Sequence, residues 1–436
     1  AVCTTGGALA KPGKRRPAKL AEWGVTDRDT RRARREPSAG GARRLDERQL
    51  GSPIPNDAKP FRVLDATKGD LMKTHPRLPR RKWTLEERDR TWDTLPPDEG
   101  ELRVLEGGSL LCTGVAGTGK TTYIQGIVER LRASGKRVDI VSKTHVASNR
   151  AGGVTADHWV RRHVINGVPS CDVLWIDEIS QLDVGLWLQL SKLSFTGMQF
   201  LLSGDFNQFS PIGNSFRGSL IAEDAFEASG LLHTLAGGNR VELLECRRSD
   251  AELFGFYSSL IAGGSRFELG LTAAVREAKA LLTYDGLAEH NLVIGHQKRI
   301  KLNRELNQQL APPGAIRLEV TGKASHGNSA QTMLLWPGIV LIGCLAVSRH
   351  GIQNGVLYTV ESVTDEAVVL IGGVSLTHAH AKTCLRLSYA QTYASCQGSE
   401  FDGPLRLHDT GHKFFSLKHL FVGLSRAKVA SEVGLV

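Results

Sequence analysis

The chain has 436 residues, 41% hydrophobic and 23% charged, with a formal net charge of +10. That length is too great for one ordinary core and predicts two or three domains. No apolar stretch approaches the roughly 18 residues of a membrane span, and seven scattered cysteines without a C-x-x-C pair suggest neither a disulfide framework nor a zinc site.

The first 95 residues read as a basic, disordered region. Residues 1–60 hold 14 Lys/Arg against 7 Asp/Glu, which leaves only +3 of the +10 for the rest of the chain. Runs such as Arg31-Arg32-Ala33-Arg34-Arg35 suit either a phosphate-binding or nuclear-targeting arm or a plain solvated linker. The chain opens on Ala1 and ends ten residues after Arg426, so we expect a fragment or a processed form. With no apolar leader and unpaired cysteines, the expected compartment is intracellular and reducing, the nucleus first.

From about residue 96 the texture is α/β. Apolar runs Ser109–Thr113, Val138–Ser142, Val173–Ile176 and Phe200–Ser203 each end in a polar or glycine-rich turn, with helical segments at Thr121–Ser134 and Val184–Leu193. Strand, turn and helix in alternation predict a parallel sheet with ligands at the carboxyl ends of its strands, here over 96–238. A second unit follows over 239–436, with a helix at Ala251–Ala262, a strand at Leu292–Gly295 and a basic helix at His296–Leu310. Within it, 316–388 has short apolar runs divided by Gly, Asn and Asp turns, the pattern of a small antiparallel barrel. The α/β texture is expected to resume at Leu385–Tyr389 and Leu420–Leu424.

The chemistry concentrates at the strand ends. Gly114-Val115-Ala116-Gly117-Thr118-Gly119-Lys120-Thr121, with Thr122 after it, follows an apolar strand and opens a helix, the context of a phosphate-binding loop. Its glycines let backbone N–H groups turn inward, and the helix N-terminus adds partial positive charge. Lys120 then faces the β- and γ-phosphates of ATP, and Thr121 offers its hydroxyl to Mg²⁺. Asp177-Glu178 closes the strand Val173–Ile176. Alternation should point the two carboxylates in different directions, Asp177 to Mg²⁺ and Glu178 to the attacking water. Gly204-Asp205-Phe206-Asn207-Gln208 repeats the arrangement, although its spacing alone fits a simple turn.

Taken in order, these segments resemble the first half of a superfamily 1 helicase. Thr392–Glu400 is similar to that superfamily's fifth motif and Phe421–Lys428 to its sixth. The nearest subgroup is the RecD-like, petite-integration-frequency type, whose β insertion typically ends in Asn-Gly, as at Asn354-Gly355. The resemblance covers about residues 104–430. It implies two tandem RecA-like P-loop NTPase domains with an SH3-like β-barrel in the second. Arg426 would be an arginine finger, and Arg247 would be a second arginine on the γ-phosphate. Gln208 would join Lys120 and Glu178 in hydrolysis. Thr144, His145, Thr155, His158, Gln397 and Gly398 would line the nucleic-acid path, and Trp159 reads as core packing. The sequence departs from the family at His145, where glycine is usual, and at Ser395, where lysine is common. No adenine-reading glutamine motif is evident before Gly114.

The expected activity is therefore an ATP-dependent, Mg²⁺-requiring helicase on single-stranded DNA or DNA duplex, with no membrane partner. A viral-type RNA helicase and a decayed helicase kept as a binding module are the alternatives.

Overall fold

The computed structural model describes residues 91–320, 330–345, 347 and 350–436. Most of the basic stretch expected over 1–95 lies outside the described residues.

The first sheet is wholly parallel. It comprises β1 (Asp93–Thr94), β2 (Leu110–Gly114), β3 (Val138–Ser142), β4 (Val154–Thr155), β5 (Val173–Asp177), β6 (Gln199–Gly204) and β9 (Asn239–Leu243), in the order β1-β9-β2-β6-β5-β3-β4. A short hairpin, β7 (Ser215–Phe216) with β8 (Ser219–Leu220), lies outside it. The central strands β2, β5 and β6 are largely apolar and buried because both faces of the sheet are covered there. Leu111, Leu174, Ile176 and Leu202 enter one core, while their neighbours Leu110, Cys112, Val173, Trp175 and Leu201 enter the core on the other face.

Residues 239–243 were expected to open the second unit. Instead β9 pairs with β2, Val241 opposite Cys112, and closes the first sheet. Val241 is fully buried there, and a local window in the sequence cannot tell which sheet an apolar run will join.

The second parallel sheet comprises β10 (His290–Val293), β18 (Ala390–Thr392), β19 (Leu405–Leu407) and β20 (Val433–Leu435), in the order β18-β10-β19-β20. The helices Ala251–Ser258, Ser265–Leu281 and Leu417–Leu424 pack on it in one core. Between β10 and β18 the chain makes the pair β11 (Ile316–Leu318) and β12 (Met333–Leu335). It then forms β13 (Val340–Gly343), β14 (Leu357–Val363), β15 (Ala367–Leu370), β16 (Val374–Thr377) and β17 (Leu385–Leu387). These last five form a curled antiparallel sheet with its own core, the barrel-like insertion.

One expectation fails here. Leu385–Leu387 belongs to the insertion, with Gly343 opposite Leu385, so the parallel sheet resumes only at Ala390. Leu420–Leu424 lies in the helix Leu417–Leu424, which packs on the second parallel sheet where the α/β unit resumes. Among the described residues no helix is long and apolar enough to cross a membrane.

Candidate active site

In the first sheet β6 lies between β2 and β5, so the turns after three neighbouring strands meet at one carboxyl edge. After β2 the phosphate-type loop runs to Gly119, which precedes the helix Lys120–Ala133 at φ 87 and supplies no side-chain cap. A left-handed residue is needed there, and glycine adopts that conformation without a Cβ penalty. The helix's first-turn N–H groups are therefore left facing the cleft. Lys120 Nζ donates to Gly114 O at 2.8 Å and Val115 O at 3.1 Å, so its ammonium lies folded over its own loop. Ala116, Gly117, Gly119, Lys120, Thr121 and Thr122 line the cleft. Gly114, Val115 and Thr118 form the turn beneath, where Thr118 Oγ1 donates to Val115 O at 2.8 Å.

The acidic wall is held by a buried relay. Trp175 Nε1 donates to Ser203 Oγ, which donates to Asp177 Oδ1, each at 2.7 Å. That leaves Asp177 Oδ2 for Thr121 Oγ1, which approaches to 3.4 Å. Glu178 does not diverge from Asp177 as strand alternation predicts. It takes the left-handed conformation, φ 54, and both carboxylates face the same cleft. A non-glycine residue held at positive φ carries backbone strain. Glu178 Oε2 and Gln208 Oε1 are buried without a hydrogen-bond partner. Burial raises the Asp177 pKa to about 6, with the adjacent Glu178 charge adding to the rise. Burial also pushes Glu178 up, but Arg150, Lys120, Arg426 and Arg248 outweigh it and hold that carboxylate below its ordinary range.

Arg426 is 1% exposed and faces this wall from the end of the helix Leu417–Leu424. Its Nη2 donates to Ser425 Oγ at 2.8 Å and its Nη1 to Ser399 O at 3.3 Å. Two adjacent arginines, Arg247 and Arg248, approach the loop from the turn after β9. Arg247 is exposed and lies against Gly119, its backbone N–H donating to Gly117 O. Arg248 lines the cleft, pairs with Glu400 and donates to Ser425 O at 3.0 Å. The adjacent arginines are indistinguishable in sequence.

Arg150 and Glu400 also line the cleft; Glu400 closes the segment similar to the fifth motif, whereas Arg150 carried no sequence signal. Arg150, near the end of the helix His145–Ala151, reaches Glu178 at 3.2 Å and Asp177 at 4.0 Å. Tyr257 was missed too: its hydroxyl donates to Ala116 O at 2.9 Å and braces the loop from the second core.

The expected strand-contacting residues divide. Thr144 caps its helix, its Oγ1 accepting from Ala147 N. A Cβ built on Gly398, at φ 81, would lie 3.6 Å from Thr144 Oγ1, so these two stand together with half-buried His145 beside them. Gln397 Nε2 donates to Phe209 O at 3.1 Å, in the turn that carries Gln208. Thr155 and exposed His158 lie on the next helical turn, where Trp159 is buried and donates to Asp139 Oδ2. Lys143 is occupied by Asp157 and Asp183.

Residues 103–251 match the family described as AAA domain. The ATP-dependent DNA helicase PIF3 of Trypanosoma brucei brucei is 31% identical over 30% of this chain and 19% of its own length. The RecD2 DNA helicase of Deinococcus radiodurans is 24% identical over 73% of this chain and 46% of its own. The solved structure of Bacteroides Pif1 bound to single-stranded DNA superposes with a TM-score of 0.56 at 18% identity, covering 78% of this chain and 91% of that one. The chain carries a superfamily 1 helicase domain of the Pif1/RecD-like group. It spans less than half the length of these two helicase sequences.

Proposed function

We propose that this domain is an ATP-driven motor that moves along single-stranded DNA and unwinds duplex. The observation that carries this reading is the convergence of Lys120, Asp177, Glu178 and Gln208, from the first lobe, with Arg426, from the second, on one cleft. A site divided between two lobes lets nucleotide state set their spacing, which a single-lobe NTPase site cannot do.

The residues suit Mg-ATP. A buried carboxylate beside a hydroxyl, with the neighbouring Glu178 carboxylate taken up by Arg150, suits an Mg²⁺ shared with phosphates rather than caged by protein. Bound through Thr121 and Asp177, Mg²⁺ would neutralise charge on the β- and γ-phosphate oxygens. The loop amides and Lys120 would hold the phosphates. Gln208 would orient a water, and Glu178 would accept its proton as the water oxygen bonds to phosphorus and the bond to the ADP oxygen breaks. Arg426, and Arg248 rather than Arg247, would spread the charge that develops. Thr144, His145, Gln397 and Gly398 would contact the strand, with Thr155 and His158 further along it. As domains, we propose a first lobe ending near Leu243 and a second from there onward, with the insertion over 316–388.

The test is Mg²⁺-dependent ATP turnover with and without single-stranded DNA, with RNA as a second arm. We expect DNA to raise turnover and Lys120→Ala to reduce it by a factor on the order of 10²–10³. A rate indifferent to either nucleic acid would sink the motor reading, and stimulation by RNA alone would replace the substrate.

A further inference from the structure

One side chain touches nearly every part of the site without belonging to any of the motifs that define it. Arg150 Nη2 bonds Glu178 Oε1 at 3.2 Å and lies 3.5 Å from Thr121 Oγ1. Its Nη1 reaches across to the second lobe, to Gly398 O and Glu400 Oε1, each at 3.4 Å. Its backbone carbonyl accepts from Gln125 Nε2, on the helix that follows the phosphate-type loop, at 3.0 Å. Arg150 thus binds the proposed base with one guanidinium nitrogen and the proposed strand-contacting turn with another.

The scaffold for such a connection is short. Arg150 sits on the seven-residue helix His145–Ala151, whose capping Thr144 stands beside Gly398. The same helix touches the insertion, through Asn149 Nδ2 on Gln353 Oε1 and Val146 against Gly355. A helix this short moves as a rigid piece, so a displacement at Thr144 and His145 is felt one turn and a half later at Arg150.

We propose that Arg150 is the positioning residue that couples strand occupancy to hydrolysis. With no strand bound it holds the Glu178 carboxylate in an ion pair, away from water. A strand seated on Thr144, His145 and Gly398 shifts the short helix and the Gly398 turn, draws Arg150 off, and frees Glu178 to take the proton. An arginine–carboxylate pair is strong enough to hold the base and is reversible by a change of a single partner. This inference rests on the motor reading above.

The experiment measures Mg-ATP turnover with and without an oligothymidylate for wild type, Arg150→Ala and Arg150→Lys, with oligonucleotide affinity read by fluorescence anisotropy. Arg150→Ala should raise the strand-free rate about tenfold, the loss of one charge-assisted hydrogen bond. It should bring the stimulation ratio towards one while leaving oligonucleotide affinity in place. Arg150→Lys keeps the charge with a single point of attachment, and should restore part of the ratio. If Arg150→Ala folds poorly, the lysine variant still decides, because a ratio equal to that of wild type overturns the proposal. A rate that falls by the same factor with and without strand also overturns it, since that is the mark of a merely structural arginine. A wild-type enzyme that ignores the strand overturns both this inference and the motor reading. A stimulated wild type beside an equally stimulated Arg150→Ala overturns this inference alone.

Discussion

The two walls of the cleft are built by different means. On the first-lobe wall, Asp177 ends β5, Glu178 and Gln208 follow β5 and β6, and Lys120 opens the helix after the β2 loop; parallel register aligns these strand ends. On the opposite wall, Arg248, Glu400 and Arg426 stand in turns and past a helix end, held by Ser425 O, Ser399 O and each other. The first wall exists as soon as its sheet forms. The second is assembled inside the second lobe from residues far apart in the chain and reaches the first only when the lobes meet, so it is the wall through which domain movement can switch chemistry.

This difference can be broken most forcefully at Arg426. Arg426→Ala should slow single-turnover hydrolysis about a thousandfold while nucleotide binding, a property of the first wall, persists. A loss of less than tenfold would mean that the second wall does not act on the phosphate. Next comes the choice between neighbours: Arg248→Ala should lower turnover about a hundredfold, whereas exposed Arg247→Ala should change it little. The reverse order would show that the turn rotates when nucleotide enters.

Smaller effects separate the lobes by pH. In the second lobe, burial lowers the His408 pKa to about 4, with the Lys298 and Arg406 charges opposing protonation further, while its Nε2 meets Asn291 Oδ1 at 2.9 Å. The unfolded chain then binds the proton more readily than the fold. Stability is fully present above about pH 6.5 and is lost as pH falls towards 4, on the order of 2 kcal/mol. In the first lobe Asp177 has the opposite sign: its raised value makes the folded state hold the proton more readily, so its contribution is lost as pH rises through about 6. Urea midpoints of wild type, His408→Gln and Asp177→Asn between pH 4 and 7 read both slopes. A His408→Gln profile parallel to that of wild type would remove the histidine from the account. The smallest effect is at the joint between the two cores. Tyr257→Phe loses the hydrogen bond to Ala116 O and should cost about 1 kcal/mol, seen as a modest fall in Tm with a raised KM for ATP.

What could be read before folding follows the same division. The loop at Gly114–Thr121 and the acids at Asp177-Glu178 were legible because each is a contiguous strand-turn signal whose partners are brought alongside by sheet register. Arg247 and Arg248 are indistinguishable in sequence, because adjacent identical residues differ only in the direction the turn gives them. Arg150 was invisible because one arginine in a short helix has no pattern, and its meaning comes from Glu178, Gly398 and Glu400, all distant in the chain. The misassignments of β9 and β17 have one cause: an apolar run declares that it will be buried, but not in which sheet.

The sequence by itself determined the phosphate-type loop, its acidic partners and the parallel architecture, since these depend on local periodicity, glycine placement and the ends of apolar strands. Only the tertiary structure decided which arginines face the cleft, how Glu178 is turned into it at positive φ, and that Arg150 ties the acids to the second lobe. Those outcomes depend on contacts between residues far apart in the chain, and such contacts exist only once both cores have packed.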